Sequence, residues 1–225
     1  MGGGQASSLG EAKTRLFGTM GSDKENLGRW TWARLQGRHN FFTRIISAYK
    51  PCKNTSDLGS SYQQQPSYFR GIGEFRCPLK MFDLDLQGQL QEWLEEGDQI
   101  ILGVDLNEDV RTGPTAKMLR ELGLTDVLIQ MHRPDVPPET NYRNNNGVPI
   151  DAIFTTPGIE PSAGGYMPYK ELMDSDHRAL WIDVPFTSIL GHNFPHKSKR
   201  DPSAVNPRDP ESVKQYTEWV KKGFA

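Results

Sequence analysis

A chain of 225 residues with formal net charge −2, pI near 6.2 and 36% hydrophobic residues has room for one domain with a core, or one domain plus a tail. That charge argues against nucleic-acid binding by bulk electrostatics alone. No apolar run approaches the roughly 18 residues that span a bilayer, and Met1-Gly2-Gly3-Gly4 has no signal-peptide core.

The expectation is therefore an intracellular protein, extending to the nucleus, with no membrane association. Cys52 and Cys77 are too few for a disulfide framework and lack metal-ligand spacing, which favours a reducing compartment. Asn54-Thr55-Ser56 fits a glycosylation sequon and, without a secretion signal, is read as chance.

From Met1 to Thr19 the pattern is weak, with Gln5 to Leu9 as a short strand. Lys13, Arg15, Lys24, Arg29, Arg34, Arg38 and Arg44 outnumber Glu11, Asp23 and Glu25, so the N-terminal part is locally basic. A local basic groove and a solvated strand face both remain open readings. Arg29 to Leu35 alternates as a half-buried strand, Gly37 to Asn40 forms a turn, and Phe41 to Tyr49 returns as the second strand of a hairpin that Pro51 stops.

Ser56 to Pro78 is polar and reads as a loop leading into irregular helix. Leu84 to Glu95 has helical spacing, with Leu86, Leu90, Trp93 and Leu94 on one face and Gly97 as its cap. Ile100, Ile101, Leu102 and Val104 then run into Asp105-Leu106-Asn107, the signature of a strand buried on both faces that delivers polar side chains at its carboxyl end. Pro114 opens a helix with Met118, Leu119 and Leu122 inward, and Gly123 ends it.

Asp126 to Met131 fits a strand or a helical turn, and Pro134, Pro137 and Pro138 make a loop. Ile150 to Thr155 is a short strand, Gly164-Gly165 a turn, and Ala179 to Val184 another strand following Ser175-Asp176-His177. Trp30, Trp32 and Trp181 are expected in the core, and His39, His132, His192 and His196 at the surface. Residues 1–190 form the expected domain. Residues 191–225 form a charged Pro-rich tail with a short terminal helix over Glu211 to Lys222.

Strands separated by helical segments, with polar residues at several strand ends, point to an α/β domain. Each polar residue has an ordinary alternative: Asp105 and Asn107 could simply close an Asx turn, His177 could be a surface histidine, and Tyr49 could pack. A calcium loop from Asp105 to Asp109 fails, because an EF-hand needs Gly where Val110 stands and Glu where Ala116 stands. Asp151, beside apolar Ile150 and Ile153, needs a partner, because an unpaired buried carboxylate is costly, and His177 is the candidate.

Taken together, Ser47-Ala48-Tyr49-Lys50-Pro51, Gly103-Val104-Asp105-Leu106-Asn107, Pro149-Ile150-Asp151-Ala152-Ile153-Phe154 and Ser175-Asp176-His177-Arg178-Ala179-Leu180 resemble, in order and wording, the endonuclease/exonuclease/phosphatase superfamily. The resemblance runs from about Trp30 to Val184. It implies a DNase I-like four-layer α/β sandwich, two mixed sheets flanked by helices. It also implies a Mg²⁺- or Mn²⁺-dependent phosphodiesterase, a nucleic-acid endonuclease whose partner is DNA.

By the same resemblance Asp105 positions or activates water, Asn107 and Tyr49 contact the phosphate, and His177 hydrogen-bonds a phosphate oxygen with Asp151 orienting its ring. Asp176 helps hold the metal. The Gly28-Arg29-Trp30 opening and the Pro207 to Tyr216 trailer look similar to endonuclease-like domains of retroelement polyproteins, which implies a C-terminal fusion partner such as a reverse transcriptase.

The chain departs from the family in one respect that matters. The superfamily places a metal-binding Glu in a Gln-Glu pair after an early strand, and before Tyr49 this chain offers Gln5, Glu11 and Glu25, none after an apolar strand. The expectation is a domain with its N-terminal strands missing and one sheet edge open. An alternative follows, a catalytically impaired remnant or accessory domain that keeps the fold and phosphate site without turnover. Cys52 also stands where phosphate-contacting relatives often have Asn, with Asn54 nearby but displaced.

Overall fold

The computed structural model describes residues 17–53, 60–73, 75, 77–132, 138–143, 147–172, 174–191 and 209–223. The expected strand at Gln5 to Leu9, the sequon, Lys13, Arg15, His192 and His196 lie outside them. The chain divides into two units, Met1–His192 and Asn193–Ala225.

In the first unit, β1 (Phe17–Ser22) pairs antiparallel with β2 (Trp30–Gln36), a strand the weak sequence pattern did not indicate. Gly21 makes the pairing possible, since a Cβ there would lie 2.7 Å from the Trp32 ring. The expected hairpin forms between β2 and β3 (Phe42–Tyr49), from Trp30 opposite Ala48 to Gln36 opposite Phe42. Within the stretch expected as a loop leading into irregular helix, the Gln-rich part is a regular helix, α1 (Ser61–Gly71), capped by Ser60, whose hydroxyl accepts from the Gln63 N–H. The next helix, α2 (Pro78–Glu95), starts earlier than its apolar spacing indicated, because Pro78 occupies the first turn, where no N–H is needed.

β4 (Gln99–Asp105) lies parallel to β3, and α3 (Pro114–Glu121) follows it. Gly97 and Gly123, read as helix stops, take left-handed φ values of 84° and 85°. The ambiguous Asp126 to Met131 segment is both things in turn: β5 (Thr125–Asp126) and then α4 (Val127–His132). β6 (Asp151–Thr155) runs antiparallel to β4 and to β5, giving a mixed sheet in the order β1-β2-β3-β4-β6-β5.

β7 (Ala163–Tyr166) and β8 (Leu180–Asp183) make a separate two-stranded antiparallel sheet, and α5 (Phe186–Leu190) closes the unit. The Gly164-Gly165 pair read as a turn lies inside β7, where a Cβ at Gly164 would come within 3.0 Å of Leu128 and Ile182. In the second unit, α6 (Pro210–Gly223) matches the expected terminal helix. Among the described residues no helix is long and apolar enough to cross a membrane.

The core lies on one face of the large sheet. Phe82, Leu86, Leu90 and Trp93 of α2 and Leu119 of α3 pack on Ile46, Ile100, Leu102, Val104, Ala152 and Phe154. Each such buried side chain contributes about 1.5–3 kcal/mol. β4 was expected to be buried on both faces. Instead its residues alternate, with Ile100, Leu102 and Val104 fully buried and Gln99, Ile101, Gly103 and Asp105 half-buried. The second face is only partly covered, by α5 and the start of β8. That leaves the end of β4 accessible.

Among the described N-terminal cations, Arg29, Arg34 and Arg44 are paired with acids, while Lys24 and Arg38 are exposed. Arg34 and Arg44 converge on Asp98, with Nε–Oδ2 distances of 2.8 and 2.6 Å, and the Arg44 guanidinium lies 4.6 Å from the Trp32 ring and 4.5 Å from that of Trp93. Arg29 is buried against Asp23, Glu25 and Asp85. These pairs fasten β2 and β3 to α2 and to the β4 entry. Trp30 is in the core as expected, but Trp181 is 41% exposed, because β8 directs Leu180 and Ile182 inward and Trp181 and Asp183 outward.

Candidate active site

Three strand ends meet at one corner of the sheet. Parallel register sets Tyr49 of β3 beside Asp105 of β4, and antiparallel register sets Asp105 opposite Asp151 of β6. Residues paired in register project to the same face, so all three side chains rise on the half-buried side. The ends are locked together: the Lys50 N–H donates to the Asp105 carbonyl at 2.8 Å and the Leu106 N–H to that of Ile150 at 2.8 Å.

The loop after β4 turns through Asn107, at a φ of 49° that Asn tolerates better than most residues. Its N–H donates to Asp105 Oδ1 at 2.9 Å, and its amide Nδ2 donates to the Lys50 carbonyl at 2.7 Å. The Asx turn weighed as the ordinary alternative is therefore present, and it fixes where Asn107 and Asp105 point.

Beneath that loop sits a buried network. Lys50 Nζ lies 2.8 Å from Glu108 Oε2, 3.1 Å from Asp83 Oδ1 and 2.5 Å from Thr115 Oγ1. Glu108 in turn accepts the Thr115 N–H at 2.7 Å, near the α3 N-terminus. Two helices are thus tied to the strand ends that carry Tyr49 and Asp105.

His177 enters from the segment before β8, its N–H donating to Ser175 Oγ at 3.0 Å. Its Nδ1 lies 2.9 Å from Asp151 Oδ2 and 3.1 Å from Oδ1, the partnership expected from sequence. Its Nε2 lies 2.7 Å from Nδ2 of Asn141, a residue the sequence reading passed over. Asn141 and His177 form an isolated antiparallel bridge, and the Arg143 N–H donates to Asn141 Oδ1 at 2.8 Å.

With Oδ1 so occupied, Nδ2 is the donor and Nε2 the acceptor, which assigns the ring proton to Nδ1, facing Asp151. Thr140, fully buried, accepts the N–H groups of Ile150 and Asp151 at 2.9 and 3.0 Å.

The charges explain the proton affinities. Burial, then the neighbouring Asp151 carboxylate, pushes Asp105 up to about 6, against the pull of the Asn107 N–H and His177. Burial likewise raises Asp151. For His177 burial opposes the charged ring, but the Asp151 charge and hydrogen bond, with Asp105 and Asp176, outweigh it and raise the ring above its ordinary value.

Asp105, Asp151 and His177 can each offer one ligand atom, all within 4.8 Å of one another, a set able to grip a divalent ion. His177 Nε2 is 4.0 Å from Asp105 Oδ2. Asp176 lies at the rim with its side chain 31% exposed and Oδ2 3.6 Å from Arg143 Nη1, and Tyr49 is 42% exposed. A cleft of about 330 Å³ opens beside Asp105 and Asp151, lined also by Ser47, Gly103, Ile153 and Arg178. A larger one, about 410 Å³, lies toward the opposite ends of β5 and β6 around Thr125, Gln130 and Thr156 and faces none of these groups.

No protein-family profile matches the chain, and no curated protein matches it. Among solved structures it is similar to the 3′ phosphatase NExo from Neisseria bound to product DNA hairpin, at 16% identity over 76% of this chain and 72% of that one, with a TM-score of 0.51. It is also similar to an AP endonuclease from Archaeoglobus fulgidus, at 19% identity over 74% and 68% of the two chains, TM-score 0.46. A third likeness is an endonuclease/exonuclease/phosphatase family protein from Leptotrichia buccalis, at 13% identity and TM-score 0.46. There the match covers 70% of this chain and about half, 53%, of the other. The Neisseria likeness shows the fold: the six-stranded mixed sheet with its small companion sheet is DNase I-like.

Proposed function

We propose that this chain, which has the DNase I-like fold of the endonuclease/exonuclease/phosphatase proteins, is a divalent-metal-dependent phosphodiesterase acting on nucleic acid. The observation that carries the reading is the convergence of Asp105, Asp151 and His177 at the ends of separate elements, with Asp151 holding the imidazole at 2.9 Å. A purely structural cluster has no need of two neighbouring carboxyls whose proton affinities are both raised, Asp105 by burial and by Asp151, Asp151 by burial. Such a pair suits a site that meets a cation or a reacting proton.

The donor set fits Mg²⁺ or Mn²⁺, since these prefer carboxylate oxygen. Asp176 would help hold the ion at the rim of the cluster of Asp105, Asp151 and His177. A bound divalent cation supplies Lewis-acid stabilisation of the charge that develops on the phosphate oxygens.

Asp105 orients the attacking water and takes its proton as the water oxygen bonds to phosphorus; the bond to the leaving oxygen breaks, and that oxygen is protonated from solvent. A carboxyl titrating at about 6 is ionised at neutral pH yet holds a proton more firmly than an exposed one. Asn107, with one amide hydrogen on the Lys50 carbonyl, directs its other toward the phosphate. His177 donates to a phosphate oxygen from Nε2 once Asn141 yields that position, and Asp151 keeps the ring's orientation as it becomes cationic. The Tyr49 hydroxyl donates from the exposed rim. Nucleic acid is favoured as substrate because the Neisseria structure holds product DNA.

A labelled oligonucleotide incubated with Mn²⁺ tests the reading: the chain cleaves it, and Asp151→Asn or His177→Ala lowers the rate by about two to four orders of magnitude. Unchanged rates in both variants would count against it.

A second reading is favoured by one observation. His177 Nε2, the atom meant for phosphate, is filled by Asn141. A domain that binds phosphate weakly and does not turn over would show affinity for the oligonucleotide and no cleavage in the same assay.

A further inference from the structure

Tyr142 and Tyr169 stand outside the hydrolytic cluster but are attached to it. Their ring centroids are 5.3 Å apart at 87°, an edge-to-face pair. Tyr169 is held from below: its hydroxyl donates to the Glu139 carbonyl at 3.0 Å, and the Arg178 guanidinium lies over its ring at 4.4 Å. Arg178 in turn donates its N–H to the Thr140 carbonyl at 2.8 Å, on the bridge that seats His177. The Tyr142 N–H donates to the Asp176 carbonyl at 3.1 Å. The pair is therefore rigidly mounted beside the phosphate-directed histidine.

Tyr142 itself is 37% exposed. Lys170 Nζ and the Arg143 guanidinium lie 5.8 and 5.9 Å from its centroid. Their acidic neighbours do not neutralise them firmly: Arg143, largely exposed, is 3.6 Å from the partly exposed Asp176, and Lys170 is 3.8 Å from the exposed Asp174, contacts of small energetic worth. A supported ring flanked by two accessible cations has the chemistry of a single-stranded nucleic-acid platform, on which a base stacks while the cations meet the adjoining phosphates. A packing pair that only covered a loop would need neither the exposure nor the cations.

We propose that Tyr142, braced by Tyr169 and flanked by Arg143 and Lys170, stacks an unpaired nucleobase next to the phosphate bound at His177. The proposal rests on the nucleic-acid reading of the site and extends it by naming an unpaired strand as the form bound there.

The test uses two labelled oligonucleotides of equal length in EDTA, one bearing bases and one with tetrahydrofuran in place of every nucleoside. Their phosphates are the same, so any difference is due to the bases. The wild-type chain should bind the base-bearing strand about tenfold tighter or more, the range expected for one stacked base. Tyr142→Ala should lose that preference and Tyr142→Phe keep it, with affinity for the base-free strand the same in all three proteins. An equal loss on both strands in Tyr142→Ala, a retained preference in Tyr142→Ala, or no preference in the wild type would each overturn the platform.

Cleavage with Mn²⁺, measured on the same wild-type protein, separates the two claims. Cleavage without a base preference removes the platform and keeps the phosphodiesterase. A base preference without cleavage keeps the platform and removes the turnover.

Discussion

Asn141 holds its amide nitrogen 2.7 Å from Nε2 of His177 while its amide oxygen accepts the Arg143 N–H at 2.8 Å. Only one orientation of the amide satisfies both contacts, so Asn141 donates and the histidine accepts. A hydrogen bond donated to a lone pair stabilises the neutral ring, opposing the carboxylates that raise its proton affinity. Asn141→Ala should therefore raise the His177 pKa further, read from its ring resonances by NMR titration. A lowered pKa would mean that Nε2 carries the proton and that the amide is turned the other way.

Lys50 is buried among Glu108, Asp83 and Thr115, and its charge is what allows the two acids to sit there. Lys50→Met should cost about 3–5 kcal/mol in urea denaturation, because removing one partner of a buried ionic group strands the others. Adding Glu108→Gln should recover part of that loss. A single variant as stable as the wild type would show that the network is not under electrostatic load.

The pH dependence of stability carries a signature of Asp126. Burial lifts this carboxyl to about 6, even though it accepts the N–H groups of Leu128 and Ile129 at 3.1 Å each. The folded chain then binds a proton that the unfolded chain, titrating near 4, has released, so this group's contribution falls as pH rises from about 4 through 6. At pH 7 the ionised carboxylate costs about 3 kcal/mol. Asp126→Asn keeps the acceptor oxygen for both N–H groups. The variant should gain stability at pH 7 and little below pH 4, and a profile parallel to that of the wild type would contradict the assignment.

Much of the site was legible in the sequence because it lies at the ends of short elements whose periodicity is strong. Ile100 to Val104 announces β4, and Asp105 must then emerge at its carboxyl end; Asp151 opens β6, and His177 stands just before β8. The pairing of Asp151 with His177 followed from the cost of a lone buried carboxylate. Asn141 was not legible, because its partner is 36 residues away and no strand period surrounds it.

The Lys50 network was not legible for a similar reason, since Asp83 and Glu108 come together with Lys50 only when α2 and α3 are packed on the sheet. The pairing of Arg34 and Arg44 was not legible, because Asp98, which neutralises both, lies beyond a helix from them in sequence. The regularity of α1 was harder to read, because Gln63-Gln64-Gln65-Pro66 carries little apolar periodicity and Pro66 lies inside the helix.

The central claim is that Asp105 and its neighbours make a metal-dependent phosphodiester-cleaving site, and nicking of supercoiled plasmid by the purified chain in Mg²⁺ or Mn²⁺ tests it most directly. The account predicts conversion to open circles that EDTA abolishes and that Asp105→Ala reduces by at least about a hundredfold while the variant unfolds at the wild-type temperature within a few degrees. No nicking by the folded wild-type chain, or equal nicking by Asp105→Ala, would contradict it.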